Sequence, residues 1–220
     1  TAIASGNFST AIGMTANATG GGGVAIGATS KASGDGAMAI GLNAQGKGKQ
    51  TQALGTAATA AQDSALALGN AAVAGKATAL TPDTASGYGA IAIGNKVDWT
   101  YLDTTKGTAT IATSATAQQA MALGNGAQAT KENAAAIGNA SVASGTNALA
   151  LGVEASASQT NAVAIGVGAL AGDATKGASA VVIGGKSKAL ADNSVAVGGN
   201  TSIANTAANA VAIGSNINVD

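Results

Sequence analysis

Asn147-Ala148-Leu149-Ala150-Leu151-Gly152 is followed, 14 residues on, by Asn161-Ala162-Val163-Ala164-Ile165-Gly166. Both stretches place large aliphatic residues one and three positions before a glycine, with alanine between them. That is a period of two, the signature of a β-strand, and the strand is apolar on both faces: large on one, small on the other. Such a strand has to be covered on both sides. The same ending recurs at thirteen glycines: Gly13, Gly27, Gly41, Gly55, Gly69, Gly94, Gly124, Gly138, Gly152, Gly166, Gly184, Gly198 and Gly214. Alanine holds the middle position in twelve of them, and Val182 takes its place in the other. Most intervals are 14 residues; the others, of 25, 30, 18 and 16, read as the same unit carrying an insertion. A fixed period of this kind marks a solenoid, in which each coil covers its neighbours.

After the glycine the alternation resumes, with small residues three and five positions on, as in Ala58/Ala60, Ala127/Ala129 and Ala155/Ala157. The intervening positions are polar in Asn17, Lys31, Thr59, Gln128, Ser156 and Lys188, so this second strand has one buried face. No charged residue falls within the four positions ending at any repeat glycine. Two strands of about five residues, joined by short links, close each coil, and like strands then stack in parallel about 4.8 Å apart. The result is a thin β-roll. Asparagine five positions before the glycine, at Asn133, Asn147, Asn161, Asn193 and Asn209, suits a turn because it bonds locally and tolerates a left-handed backbone. Repeated at one corner, it can form a side-chain ladder.

So short a coil leaves little room between its two sheets, and the alanine face is therefore expected inside. The large side chains then form an outward stripe: Val24, Ile26, Met38, Ile40, Leu66, Leu68, Ile91, Ile93, Met121, Leu123, Leu149, Leu151, Val163, Ile165, Val181, Ile183, Val195, Val197, Val211 and Ile213. The opposite assignment, large residues inside and alanines outside, satisfies the same alternation. Either way a long apolar surface is left that a soluble monomer does not tolerate, so a partner subunit is expected.

Ten lysines balance ten acids, and arginine, histidine and cysteine are absent. There is no imidazole for acid–base work and no thiol nucleophile, and the acids are scattered, so an enzyme is not expected. No set of residues points to a transition metal or a cofactor, and the glycine-rich nonapeptide of calcium-binding β-rolls is missing. Gly20-Gly21-Gly22-Gly23 shares only its glycines with a phosphate loop and reads as a tight corner. Neutral charge without basic patches argues against nucleic acid. Threonine is too dispersed for an ice-binding rank, and hexapeptide acyltransferase spacing is missing. No signal peptide or membrane-length apolar run appears, and the stack ends at Asn216-Ile217-Asn218-Val219-Asp220 without an evident cap. The chain is therefore expected to be a piece of a longer protein whose membrane anchor lies elsewhere.

The hexapeptides Asn161 to Gly166, Asn193 to Gly198 and Asn209 to Gly214 resemble the repeat of YadA-like head domains of trimeric autotransporter adhesins, as do Gly34, Gly48 and Gly145, seven positions after their repeat glycines. The likeness runs from about Ser9 to Gly214. It implies one head domain over residues 1–220, folded as a left-handed parallel β-roll and assembled as a parallel homotrimer. It also implies display on the extracellular side of a Gram-negative outer membrane, with host matrix proteins such as collagen, fibronectin or laminin, host cells, or surfaces as partners. The chain departs from the pattern at Thr51, Gln119 and Ser179, at or near the asparagine corner, and the family's basic neck sequence is absent.

Specificity is expected where regularity fails, in insertions at about residues 76–88 and 95–119. The first holds the only proline, Pro82, and ends at Tyr88; the second carries Asp98-Trp99-Thr100-Tyr101-Leu102-Asp103 with the only tryptophan. Tyr88, Trp99, Tyr101 and Leu102 are candidates for one of two roles: anchoring the insertion on the roll or a neighbouring subunit, which is the favoured reading, or forming an exposed recognition patch. Smaller bulges near Asp173 and Lys176, and from Ile203 to Asn209, are expected to adjust corners, and Phe8 to cap the first coil.

Overall fold

In the computed structural model, residues 1–75, 88–98 and 110–220 are described. They form two compact units, Thr1–Gly126 and Ala127–Asp220. Each is a parallel β-solenoid. A three-residue strand ends just before each repeat glycine, as at Val24–Ile26 in the first unit and Leu149–Leu151 in the second. A two-residue strand follows after the turn, at Lys31–Ala32 and Ser156–Ala157. Both strands are shorter than the five or so residues expected from the alternation. The corners account for the rest.

Two left-handed residues bend each regular coil. One lies five positions before the glycine, where Asn147 and Asn161 have φ of 56° and 58°; the other lies two positions after it, where Thr29 and Asn43 have φ of 57° and 58°. Asparagine tolerates this region, and the first corner also builds the expected ladder. The Asn133 amide donates to the Asn147 carbonyl oxygen and the Asn147 amide to that of Asn161, each at 3.1 Å. Gln119 and Ser179 adopt the same left-handed φ where the pattern departs from asparagine. Phe8 also occupies this corner, with φ of 58°, and is 98% exposed, so it does not cap the first coil.

The repeat glycine is required twice over. Gly152 has φ of +137°, and a Cβ there would lie 2.5 Å from the carbonyl oxygen of Gly166 on the next coil. Coil-to-coil approach at this corner is therefore set by backbone rather than side chains.

Register survives every change of spacing. Val24 and Ala25 pair with Met38 and Ala39 across a regular interval. Leu66 and Ala67 pair with Ile91 and Ala92, and Ile91 with Met121, across the 25- and 30-residue intervals. In the second unit Val163 pairs with Val181, and Val195 with Val211. The extra residues between the paired strands do not shift the ladder.

The interior is alanine. Ala25, Ala39, Ala53, Ala150, Ala164 and Ala196 are fully buried, and the alanines of the second strand, such as Ala60 and Ala157, face them equally buried. The largest buried side chains, Val182 and Ile203, each replace an alanine in the second unit.

Candidate interaction surface

With alanine pointing in, alternation forces the flanking positions out. None of the twenty large residues of the expected stripe is buried: most are half-buried by the coils above and below, while Leu68, Met121, Leu123, Leu151, Ile183, Val211 and Ile213 are exposed. The alternative with large residues inside is thereby excluded. Leu151, in regular surroundings, keeps 39% of its surface exposed. The surface is also wider than the alternation predicts. Met14 and Leu42 in the first unit, and Val153 and Val167 in the second, stand directly after a repeat glycine and are exposed, Val167 at 59%. The signal was a large apolar residue at a corner where other coils carry Asn70, Asn95 or Asn139.

The second insertion leaves the roll beyond Lys96. Val97–Asp98 pairs antiparallel with Thr110–Ile111, which brings the two ends of the insertion side by side. It rejoins the roll at Ser114–Ala115, which pairs in parallel with Val73–Ala74. The joint is fastened by Thr113, fully buried. Its hydroxyl lies 3.0 Å from the carbonyl oxygen of Asn95 and 2.8 Å from that of Gly124, and accepts the Gly126 N–H at 3.1 Å. One hydroxyl proton serves only one carbonyl at a time, so the two share it. Trp99, Tyr101 and Leu102 lie outside the described residues.

Tyr88, at the end of the first insertion, is half exposed. It borders an open groove of about 340 Å³ along one corner of the first unit, with Asp35, Gly36, Lys49, Gln50, Asp63 and Ser64. The two carboxylates are partly committed: Asp35 accepts the Gly21 N–H at 3.0 Å, and Asp63 that of Lys49 at 2.7 Å.

In the second unit the Asp173 bulge is a closed local turn. Its carboxylate accepts the N–H groups of Thr175 and Lys176, both at 2.7 Å, and the Thr175 hydroxyl at 3.0 Å. The Thr175 N–H, then that of Lys176, hold the Asp173 carboxyl below its ordinary value. No group of three or more metal-ligating side chains occurs among the described residues.

The sequence profile of the YadA head domain repeat matches residues 1–16, 18–44, 47–72, 115–141, 143–169 and 176–201, which is more than half of the chain. The chain belongs to the YadA head family. In this YadA head the unmatched stretch from 73 to 114 holds residues 76–88 and most of 95–119, together with the roll strands Val73–Ala74 and Ile91–Ile93. No curated protein matches the chain along its sequence. The YadA head is a surface-exposed, non-enzymatic component of autotransporter adhesins.

Proposed function

We propose that this chain is the head of a bacterial surface adhesin, working as a parallel homotrimer on the extracellular side of a Gram-negative outer membrane. Its task is attachment to host matrix proteins (collagen, fibronectin or laminin), host cells or other surfaces, without catalysis. The observation that carries this reading is the aliphatic stripe on each unit. Valine, isoleucine, leucine and methionine side chains stand half-buried or exposed on successive coils. Such a surface exceeds what a monomer leaves in water, and burying it gains about 25 cal/mol per Å². A threefold partner of the same kind satisfies it on every coil at once.

Three parallel copies also repeat every surface feature three times, so weak contacts add as avidity. The insertions are the individual part of the molecule, and we assign Trp99, Tyr101 and Leu102 to anchoring them. A spacer that merely holds another tip domain away from the cell would share the fold but bind nothing itself. Binding of the isolated trimer to immobilised collagen, fibronectin and laminin, and to cells, separates the two. A folded trimer that binds none of them leaves the spacer reading. Repeating the assay with residues 99–109 replaced by a short glycine–serine link locates the contact, because this keeps the paired ends of the insertion and Thr113 in place.

A further inference from the structure

The side chains three positions before the repeat glycines form one column of the stripe. In the first unit it runs Thr10, Val24, Met38, Gln52, Leu66, Ile91 and Met121. Gln52 lies in register between Met38 and Leu66, and its side chain is exposed. It is the one position of this unit at which a polar group is set into the stripe with apolar neighbours on both sides.

A stripe that repeats on every coil is a poor specifier of alignment. Sliding one roll along another by one coil, about 4.8 Å, exchanges aliphatic groups for aliphatic groups and leaves burial nearly unchanged. A single polar residue in an apolar seam removes that degeneracy, as it does in coiled coils. We infer that the three Gln52 carboxamides meet at one level of the trimer, bond to one another in a closed ring, and fix its axial register. This rests on the homotrimer proposed above.

Threefold symmetry places identical residues at identical height. Each carboxamide carries donors and an acceptor, so in a closed ring each donates one N–H to the next carbonyl oxygen and accepts one in return, leaving its second N–H to water or a backbone carbonyl. In a trimer slipped by one coil, Gln52 faces Met38 or Leu66 of a neighbouring copy and its polar atoms are buried without partners. The aliphatic layers supply the adhesion between chains, and the amide layer chooses among the alignments they allow.

Gln52→Glu tests the convergence. No charged residue occupies the four positions ending at any repeat glycine, so the strands of the stripe bring no other charge to this level. At pH 4 the variant should melt as the parent does; between pH 5 and 7 its melting temperature should fall by about 10 °C or more as the like charges ionise together. Gln45→Glu, on the short strand that follows the glycine, should shift by less than about 2 °C across the same range. The register itself is read by co-expressing Val24→Cys and Met38→Cys chains, which meet only after a one-coil slip. Mixed disulfide dimers should be about tenfold more abundant with Gln52→Leu than with Gln52 retained, a preference of about 1.4 kcal/mol. A trimeric Gln52→Glu variant whose melting ignores pH, or equal mixed disulfide in both backgrounds, overturns the inference alone. A parent chain that scatters light as a folded monomer overturns the trimer and the inference together.

Discussion

Between Gly124 and Gly166 the repeat glycines fall every 14 residues, whereas between Gly69 and Gly124 they fall 25 and 30 apart. Yet the interrupted coils keep the pairing of the regular ones, Leu66 to Ile91 to Met121 in one stretch and Ala135 to Leu149 to Val163 in the other. Spacing therefore does not set the register. What sets it is the unit of alanine, aliphatic residue and glycine, together with the left-handed corners. Extra chain between corners costs only loop-closure entropy, which grows slowly with length. The glycines carry most of this burden. Gly94 in the interrupted stretch and Gly152 in the regular one have φ of +146° and +137°, and a Cβ on either would lie 2.4 or 2.5 Å from the next glycine's carbonyl oxygen.

That equivalence can be broken. Gly152→Ala and Gly94→Ala should each destabilise by about 4 kcal/mol or more, because left-handed strain adds to a clash with backbone that cannot move aside. Denaturant melts showing Gly94→Ala to be mild and Gly152→Ala severe would mean that the interrupted coils are held by their insertions instead. Overpacking comes next in size. Ala150 fills the narrow interior completely, and Ala150→Leu should cost about 1–3 kcal/mol per subunit. Its neighbour Leu151 points outward, so Leu151→Ala should lower trimer stability and leave a monomeric roll almost unaffected. Melts over a concentration series distinguish these outcomes.

Much of this architecture was legible in the sequence. The alternation around Ala150 and Ala164 gave both the strand and its two-faced burial, and the glycine period gave the coil. Asn133, Asn147 and Asn161 announced a corner and its ladder. Strand lengths were not legible, because residues such as Ala57 and Glu154 turn with left-handed φ while carrying no turn signature. Which face lay inside was settled only by the fold, since alternation is symmetric between the two. Thr113 was hidden inside a long interval, although Thr113-Ser114-Ala115 repeats the hydroxyl residue, variable residue and alanine of Ser30-Lys31-Ala32 and Ser141-Val142-Ala143. Reading that triplet would have shown where the chain comes back. Val153 and Val167 were not legible as part of the stripe because they stand beyond the repeat glycine, outside the alternating strand.

The joint at Thr113 sharpens the comparison further. Ser30 and Ser141 bond within their own coils, Ser141 to the Gly138 carbonyl oxygen at 2.9 Å, whereas Ser187, also in a regular coil, reaches the Gly198 carbonyl oxygen of the next coil and accepts the Thr201 N–H. Thr113 shares with Ser187 the reach to the next repeat glycine, here Gly124, and adds a bond to Asn95 that ties the returning chain to the point where it left. Thr113→Val keeps the shape and deletes the hydroxyl shared by the Asn95 and Gly124 carbonyls, while the Gly126 N–H keeps the Asn95 carbonyl oxygen at 3.0 Å, so the cost should be about 1 kcal/mol. Ser141→Ala should cost about half of that. Equal effects at the two sites would show that Thr113 is an ordinary corner residue and not the fastening of the insertion.

The smallest effect belongs to the bulge of the second unit, where interruption is only a few residues long. Asp173 holds its turn through the N–H groups of Thr175 and Lys176, and these bonds favour the ionised carboxylate. Its folded value is therefore depressed, and the sign follows: the turn's stabilisation is complete above the ordinary value of 3.8 and is lost as pH falls through the lower folded value. The carboxylate is solvated, so the loss stays local. Amide exchange at Thr175 and Lys176 should quicken, relative to that of Val181 and Ala196 in the ladder, as pH drops below about 3.8, after correction for the intrinsic exchange rate. Asp173→Asn should bring the faster exchange to neutral pH with the melting temperature unchanged. If instead the whole second unit melted earlier in Asp173→Asn, the bulge would be part of what holds the coils in register, and the distinction between regular coil and looped-out excess would fail at its mildest example.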